Sequence, residues 1–230
     1  MTSSLLLALS ASTAAPAESF CHANTSAVAV DVSEPTTAPF LAKMRETGVK
    51  TIIRYYDHED ETLPGKTLHV QERKAIATGG LKTLVVFQHH NDRFSTFTPI
   101  RGDSDARRSL ILASENEQPA GRTIYFGVDG AWGTEPELKK IRGYFAAAQK
   151  ILSRAGFKVG VYGSGRVCGD LTKKKLASYC WLANARSWPD YTSAFKAKKW
   201  VLAQQLPEDC GGINVDFNIG NDHYADYGQF

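Results

Sequence analysis

Thr123-Ile124-Tyr125-Phe126-Gly127-Val128-Asp129-Gly130-Ala131-Trp132 is the stretch on which the reading of the fold turns. Five β-favouring or apolar residues lead into a single acid, and glycine and tryptophan follow at once. No polar residue alternates with the apolar ones. The run therefore suits a strand covered on both faces in a parallel sheet, not a strand with a wet face. Parallel α/β folds place catalytic groups at C-terminal strand ends, where Asp129 would face an open loop. Asp-Gly is also a strong turn signal, so by itself Asp129 is equally well read as a turn residue.

Seven other short runs share this character: Ala27 to Val32, Thr51 to Tyr56, Lys82 to Gln88, Lys158 to Tyr162, Tyr179 to Asn184, Trp200 to Gln205 and Ile213 to Phe217. Helix signals separate the earlier ones. Pro39 opens a helix that stops before Gly48, and His69 to Thr78 ends at Gly79-Gly80. Asp103 to Glu115 carries apolar residues at helical spacing, and Glu135 to Arg154 is closed by Gly156. Eight strands, mostly separated by helices, predict an α/β fold, a TIM-type (β/α)8 barrel. The links after strand five are shorter and poorer, which predicts irregularity in the last three strands. A doubly wound open sheet is the alternative. No G-x-G-x-x-G follows the first strand, which removes the usual dinucleotide reading.

A chain of 230 residues, 43% hydrophobic and 22% charged, has the composition of an ordinary globular domain. The net charge of +3 is too mild to suggest a nucleic-acid partner. Lys173-Lys174-Lys175 is expected to be a solvated helix face. Residues 1 to 17 read as a signal peptide, with the apolar core Leu5-Leu6-Leu7-Ala8-Leu9 and an A-x-A site at Ala15-Pro16-Ala17. That core is too short to cross a bilayer as a helix. Residues 18 to 230 are then one domain, expected to be secreted or periplasmic, without an integral membrane segment, and monomeric. The four cysteines fit an oxidising compartment, and none are spaced as C-x-x-C. Strands one and eight are expected to be parallel neighbours. Cys21 and Cys210, each preceding its strand, would then meet at the N-terminal face and leave Cys168 to pair with Cys180.

The C-terminal strand ends carry Asp31, Arg54, Gln88, Asp129, Tyr162, Asn184, Gln204 or Gln205, and Asp216. A polar group at every end predicts a polar pocket at the barrel mouth. Three carboxylates there suit acid–base work on a glycoside, where two carboxyl groups flank the bond. Asp129 is expected as general acid, with Asp31 and Asp216 as base, nucleophile or electrostatic stabiliser. Arg54, Gln88, Tyr162, Asn184 and Gln204 are expected to position substrate, and Trp132 to stack on it. A metal held by His89, His90 and Asp92 is disfavoured, because adjacent strand residues point to opposite faces. No cofactor is expected. Gly163-Ser164-Gly165 lacks the full G-x-S-x-G elbow, so Ser164 is read as a loop residue.

Ala29-Val30-Asp31-Val32-Ser33, Ile53-Arg54-Tyr55, Ile124-Tyr125-Phe126-Gly127-Val128-Asp129, Val159-Gly160-Val161-Tyr162-Gly163-Ser164 and Val215-Asp216-Phe217-Asn218 together resemble a glycoside-hydrolase-like TIM-barrel domain family. It is related to the glycoside hydrolase family 25 muramidases, and the resemblance covers about residues 27 to 218. It implies an exported barrel acting on a glycan, peptidoglycan among the candidates. Asp31 matches the muramidase acid of strand one, Tyr162 their strand-five tyrosine, and Asp216 with Asn218 their closing pattern. Where those enzymes carry D-x-E on strand four, this chain has Gly127-Val128-Asp129. Gly127 stands in place of the first acid and Asp129 in place of the glutamate. The shorter side chain reaches about 1.5 Å less far. The resemblance therefore leaves open a different linkage, or a glycan-binding module without turnover.

Overall fold

The computed structural model describes Cys21, residues 26–58 and residues 65–230; the expected signal peptide lies outside the described residues. Eight strands close a barrel in sequence order. They are β1 (Ala27–Asp31), β2 (Thr51–Tyr56), β3 (Lys82–Phe87), β4 (Thr123–Gly127), β5 (Lys158–Gly163), β6 (Tyr179–Leu182), β7 (Leu202–Asp209) and β8 (Asn214–Gly220). Neighbours from β1 to β7 pair in parallel. The connections hold α1 (Ala38–Glu46), α2 (Val70–Thr78), α3 (Pro99–Glu115), α4 (Glu135–Arg154), α5 (Gly165–Lys173) and α6 (Tyr191–Lys196). Barrel closure and the irregular final third are as the sequence predicts.

Strand eight departs from the expectation. It runs antiparallel to both β1 and β7. Between β7 and β8 lie only Cys210 to Ile213, closed by Cys210 N–H to Ile213 O at 2.8 Å, with Gly211 and Gly212 at φ 69 and 85. A parallel return needs a crossover of a dozen or more residues, so so short a link makes a hairpin. The disulfides Cys21–Cys210 and Cys168–Cys180 are both present, although the premise behind the first was wrong. Reversal of β8 puts Cys210 before its mouth end.

Strand alternation divides the core in two. Ala29, Ile53, Leu84, Val86, Tyr125, Trp181 and Leu202 fill the barrel interior. Val30, Ile52, Val85, Phe87, Ile124, Phe126 and Val161 face the helices. Both faces are dry, which explains the unbroken apolar runs. At the barrel floor Tyr227 Oη bonds Thr51 Oγ1 at 2.7 Å, and the Tyr125 hydroxyl donates to Tyr227 O at 2.8 Å. Phe230 exchanges two backbone bonds with Thr83. Only the opposite end, the mouth, is left for strand-end side chains to converge. Two helices that frame it have legible starts: a capping box of Thr134 and Glu137 opens α4, and Ser164 Oγ accepts Val167 N–H to open α5. The loop role expected of Ser164 is thus an N-cap.

Candidate active site

β1 ends in Asp31, and β8 sets Asp216 directly across from it. Asp216 was expected at the C-terminal end of its strand. It lies near the start instead, and reaches the mouth because the strand is reversed. Asn218, two residues on, falls on the same face. Its Nδ2 donates to Asp31 Oδ2 at 2.7 Å, and its Oδ1 accepts the Trp181 indole N–H at 2.6 Å. Gln204 mirrors this arrangement: Nε2 donates to Asp31 Oδ1 at 3.3 Å, while Oε1 accepts the Tyr162 hydroxyl at 2.9 Å and Asn184 N–H at 3.3 Å. With each amide oxygen already occupied, both NH2 groups are held toward Asp31. The Tyr55 hydroxyl donates to Asp31 Oδ1 at 3.4 Å.

Asp31 is 2% exposed. Burial first, and then the Asp216 carboxylate, push it up to about 8 despite its three donors. Burial pushes Asp216 up to about 6. Facing each other across the β1–β8 ladder, the two carboxyls titrate as a coupled pair, and the more deeply buried Asp31 holds its proton to the higher pH. Asp129 is also held above the ordinary aspartate value, by burial and then by the charge of Asp92. The Gln88 hydrogen bond and Lys66 act against them. Burial raises Tyr55 and Tyr162 well above the usual phenol range, so both stay neutral donors.

Asp31, Asp129 and Asp216 line a single cavity of about 170 Å3 with Tyr55, Val86, Gln88, Tyr162, Trp181 and Gln204. A second cavity of about 350 Å3 adjoins it, bordered by Ser33, Asp57, Lys66 and His89, His90, Asn91 and Asp92. Tyr55, Gln88 and Asp129 belong to both. Asp129 therefore stands where the central well meets the side groove. A larger cavity, about 730 Å3, is at the floor beside Lys50, Lys82 and Tyr227 and holds none of the three strand-end acids.

Of the residues expected to position substrate, Gln88, Tyr162 and Gln204 line the well. Arg54 does not. Its Nε donates to Glu72 Oε1 at 2.8 Å, Nη1 to Val32 O at 2.7 Å and Nη2 to Gly65 O at 2.9 Å, all in the helix layer. Alternation decides this: Ile53 and Tyr55 face inward, so Arg54 between them faces outward. Trp132 is another correction, packing against Phe94 and Phe97 at ring distances of 5.6 and 5.1 Å instead of lining the well. Asn184 stays outside the well and helps only by orienting Gln204. Tyr55, Trp181 and Lys66 line the cavities beside the residues expected to position substrate. Tyr55 was legible as the in-facing neighbour of Arg54, whereas Lys66 arrives from a loop with no strand-end signal.

His89 and His90 lie beyond the strand. β3 stops at Phe87 and His90 has φ 54, so alternation no longer governs the histidines, whose ring centroids lie 4.3 Å apart. His89 Nδ1 is engaged with Asp57 Oδ1 at 2.6 Å. Among the described residues no group of three or more His, Cys, Asp or Glu is arranged to hold a metal ion.

A barrel whose mouth gathers three strand-end carboxylates above a sealed floor is a glycoside-hydrolase-like barrel. The chain belongs to the Rv2525c-like, glycoside hydrolase-like domain family, whose model matches residues 42–222. FadG of Bacillus subtilis (strain 168) is 25% identical over 158 residues, which are 67% of this chain and 27% of FadG, so the chain matches about a quarter of that relative's length. The Mycobacterium tuberculosis Tat-secreted protein Rv2525c, in complex with HEPES, superposes with TM-score 0.73 at 20% identity, covering 88% of this chain and 98% of that one. A B. stearothermophilus protein gives 0.64 at 16% identity, covering 88% and 99%. The autolysin LytC from Streptococcus pneumoniae, in complex with a synthetic peptidoglycan ligand, gives 0.52 at 14% identity, covering 84% of this chain and 46% of LytC. At such identities the structural likeness speaks for the fold.

Proposed function

We propose that the protein hydrolyses a glycosidic bond of an extracytoplasmic glycan, with Asp129 as general acid and Asp216 as the ionised partner. The observation that carries this is the place of Asp129 at the junction of well and groove. A sugar seated in the well and its neighbour in the groove would present their shared oxygen to that carboxyl. Asp129 gives its proton to this oxygen as the bond from the ring carbon breaks. Charge developing on the ring faces Asp216, which takes the proton of the entering water or attacks the carbon itself. Asp31, kept neutral, and Gln204 hold the ring. LytC's peptidoglycan ligand makes peptidoglycan the first substrate to test. Secretion is supported by the two disulfides and by the Tat-secreted relative. No described helix is long and apolar enough to cross a membrane.

A second reading, a glycan-binding module without turnover, is favoured by Gly127. An added Cβ there would meet Gln88 Cγ at 3.3 Å, so Gln88 fills the space where a second β4 acid would begin. Release of reducing ends from peptidoglycan sacculi and from chitin oligomers separates the two. Asp129→Asn and Asp216→Asn are each expected to cut turnover at least ~100-fold while leaving glycan binding within a few-fold. Binding without turnover by the wild type would select the second reading.

A further inference from the structure

We propose that Asp92, on the turn after β3, is the carboxylate partner that keeps the proton on Asp129, so that the mouth carries two acid pairs, Asp31 with Asp216 and Asp92 with Asp129. The use of that proton in catalysis rests on the function proposed above; the pairing stands on the geometry alone.

Buried Asn91 fastens the turn to the end of β4. Its Nδ2 donates to Gly127 O at 2.7 Å, and its carbonyl accepts Asp129 N–H at 3.0 Å. Asn91 Oδ1 also accepts His89 N–H at 2.6 Å, which closes the turn on itself. These bonds span residues 127 to 129 on one side and 89 to 91 on the other. Asp92 and Asp129 are thereby brought to the wall of one groove. β4 supplies no like charge of its own, because Gly127 has no side chain and Gln88 occupies the space beside it.

On the groove side the described cation is already paired. Lys66 lies 3.2 Å from Asp57 Oδ2 and donates to Gln88 O at 2.8 Å. Its positive charge is thus matched by Asp57. His89 is bonded to Asp57, and burial keeps its imidazole below the usual range, so it is neutral. His90 borders the same groove, and the phenols of Tyr55 and Tyr162 stay protonated. Across the well Asp216 is ionised above about 6, yet the charge that raises Asp129 is that of Asp92. Among the described residues Asp92 is the groove-side carboxylate beside Asp129 with no cation paired to it, and a like charge disfavours ionisation of its neighbour.

The test follows the Asp129 carboxyl carbon by NMR through a pH titration, in wild type, Asp92→Asn and Asp92→Glu. Asp92 is exposed, so both variants are expected to fold, which amide shift dispersion checks. In Asp92→Asn the Asp129 midpoint is expected to fall, and in Asp92→Glu to stay. Because Asp92 faces solvent, ~1 M salt should move the wild type toward the Asp92→Asn value. With sacculi as substrate, the alkaline limb of kcat/KM should move the same way, and the rate near pH 7 should drop roughly tenfold. An Asp129 midpoint unchanged in Asp92→Asn overturns the pairing. Failure of the wild type to turn over any glycan overturns the proposed function and leaves the NMR result to decide the pair.

Discussion

Asp31 and Arg54 are both polar, both buried and both near strand ends, yet they serve opposite sides of the sheet wall. Asp31 points into the well, and Arg54 into the helix layer. One position along a strand separates a site residue from a structural one, because side chains alternate. The buried acid makes a prediction at this scale. A neutral Asp31 contributes stability that is complete below the ordinary value of 3.8 and is lost as pH rises through about 8. The thermal midpoint is expected to fall from about pH 4 to about pH 8 and then level off, and Asp31→Asn, which cannot ionise, to remove most of the fall between about pH 6 and pH 8, above the Asp216 value. The same slope in both proteins would place the titration elsewhere.

Elements are held by polar pins as well as by the apolar core. Glu72 on α2 receives Arg54 from β2 and also accepts Thr36 N–H and Oγ1–H, each at 2.9 Å, from the segment before α1. One carboxylate thus ties together two strand-to-helix connections beneath the mouth. Removing one partner of a buried pair strands the other charge. Arg54→Met is expected to lower stability by ~3–5 kcal/mol in urea unfolding, while glycan affinity of the folded protein stays within about twofold. Loss of affinity without loss of stability would return Arg54 to the site. Strand positions and the four clearest helices were legible because unbroken apolar runs mark the strands, while helical spacing and end signals mark the helices. The direction of β8 was hidden in its link, where Gly211-Gly212 in a four-residue connection was the available signal.

At the scale of the molecule, the barrel is closed at its floor by residues near Tyr227 and stapled twice. The two staples close very different loops, 189 residues for Cys21–Cys210 and 12 for Cys168–Cys180. Loop entropy alone assigns them ~5 and ~3 kcal/mol. Paired Cys→Ser replacement is expected to destabilise more at Cys21 and Cys210 than at Cys168 and Cys180, as read by urea midpoints. The reverse order would show that the loss is local and not a release of the unfolded chain.

The sequence by itself determined an α/β fold of eight strands and favoured a barrel over an open sheet, because runs dry on both faces alternating with helices admit few other packings. It also marked the polar strand ends, Asp129 among them, since their chemistry is written in single residues. Tertiary structure decided which of those ends share a cavity, because that depends on strand direction and on which face a side chain takes. It brought Asp216 beside Asp31 through a reversed strand and turned Arg54 away. It also set Asp92 and Asp129 on the wall of one groove, through two hydrogen bonds of Asn91. Proximity between residues far apart in the chain is a property of closure, and no local pattern carries it.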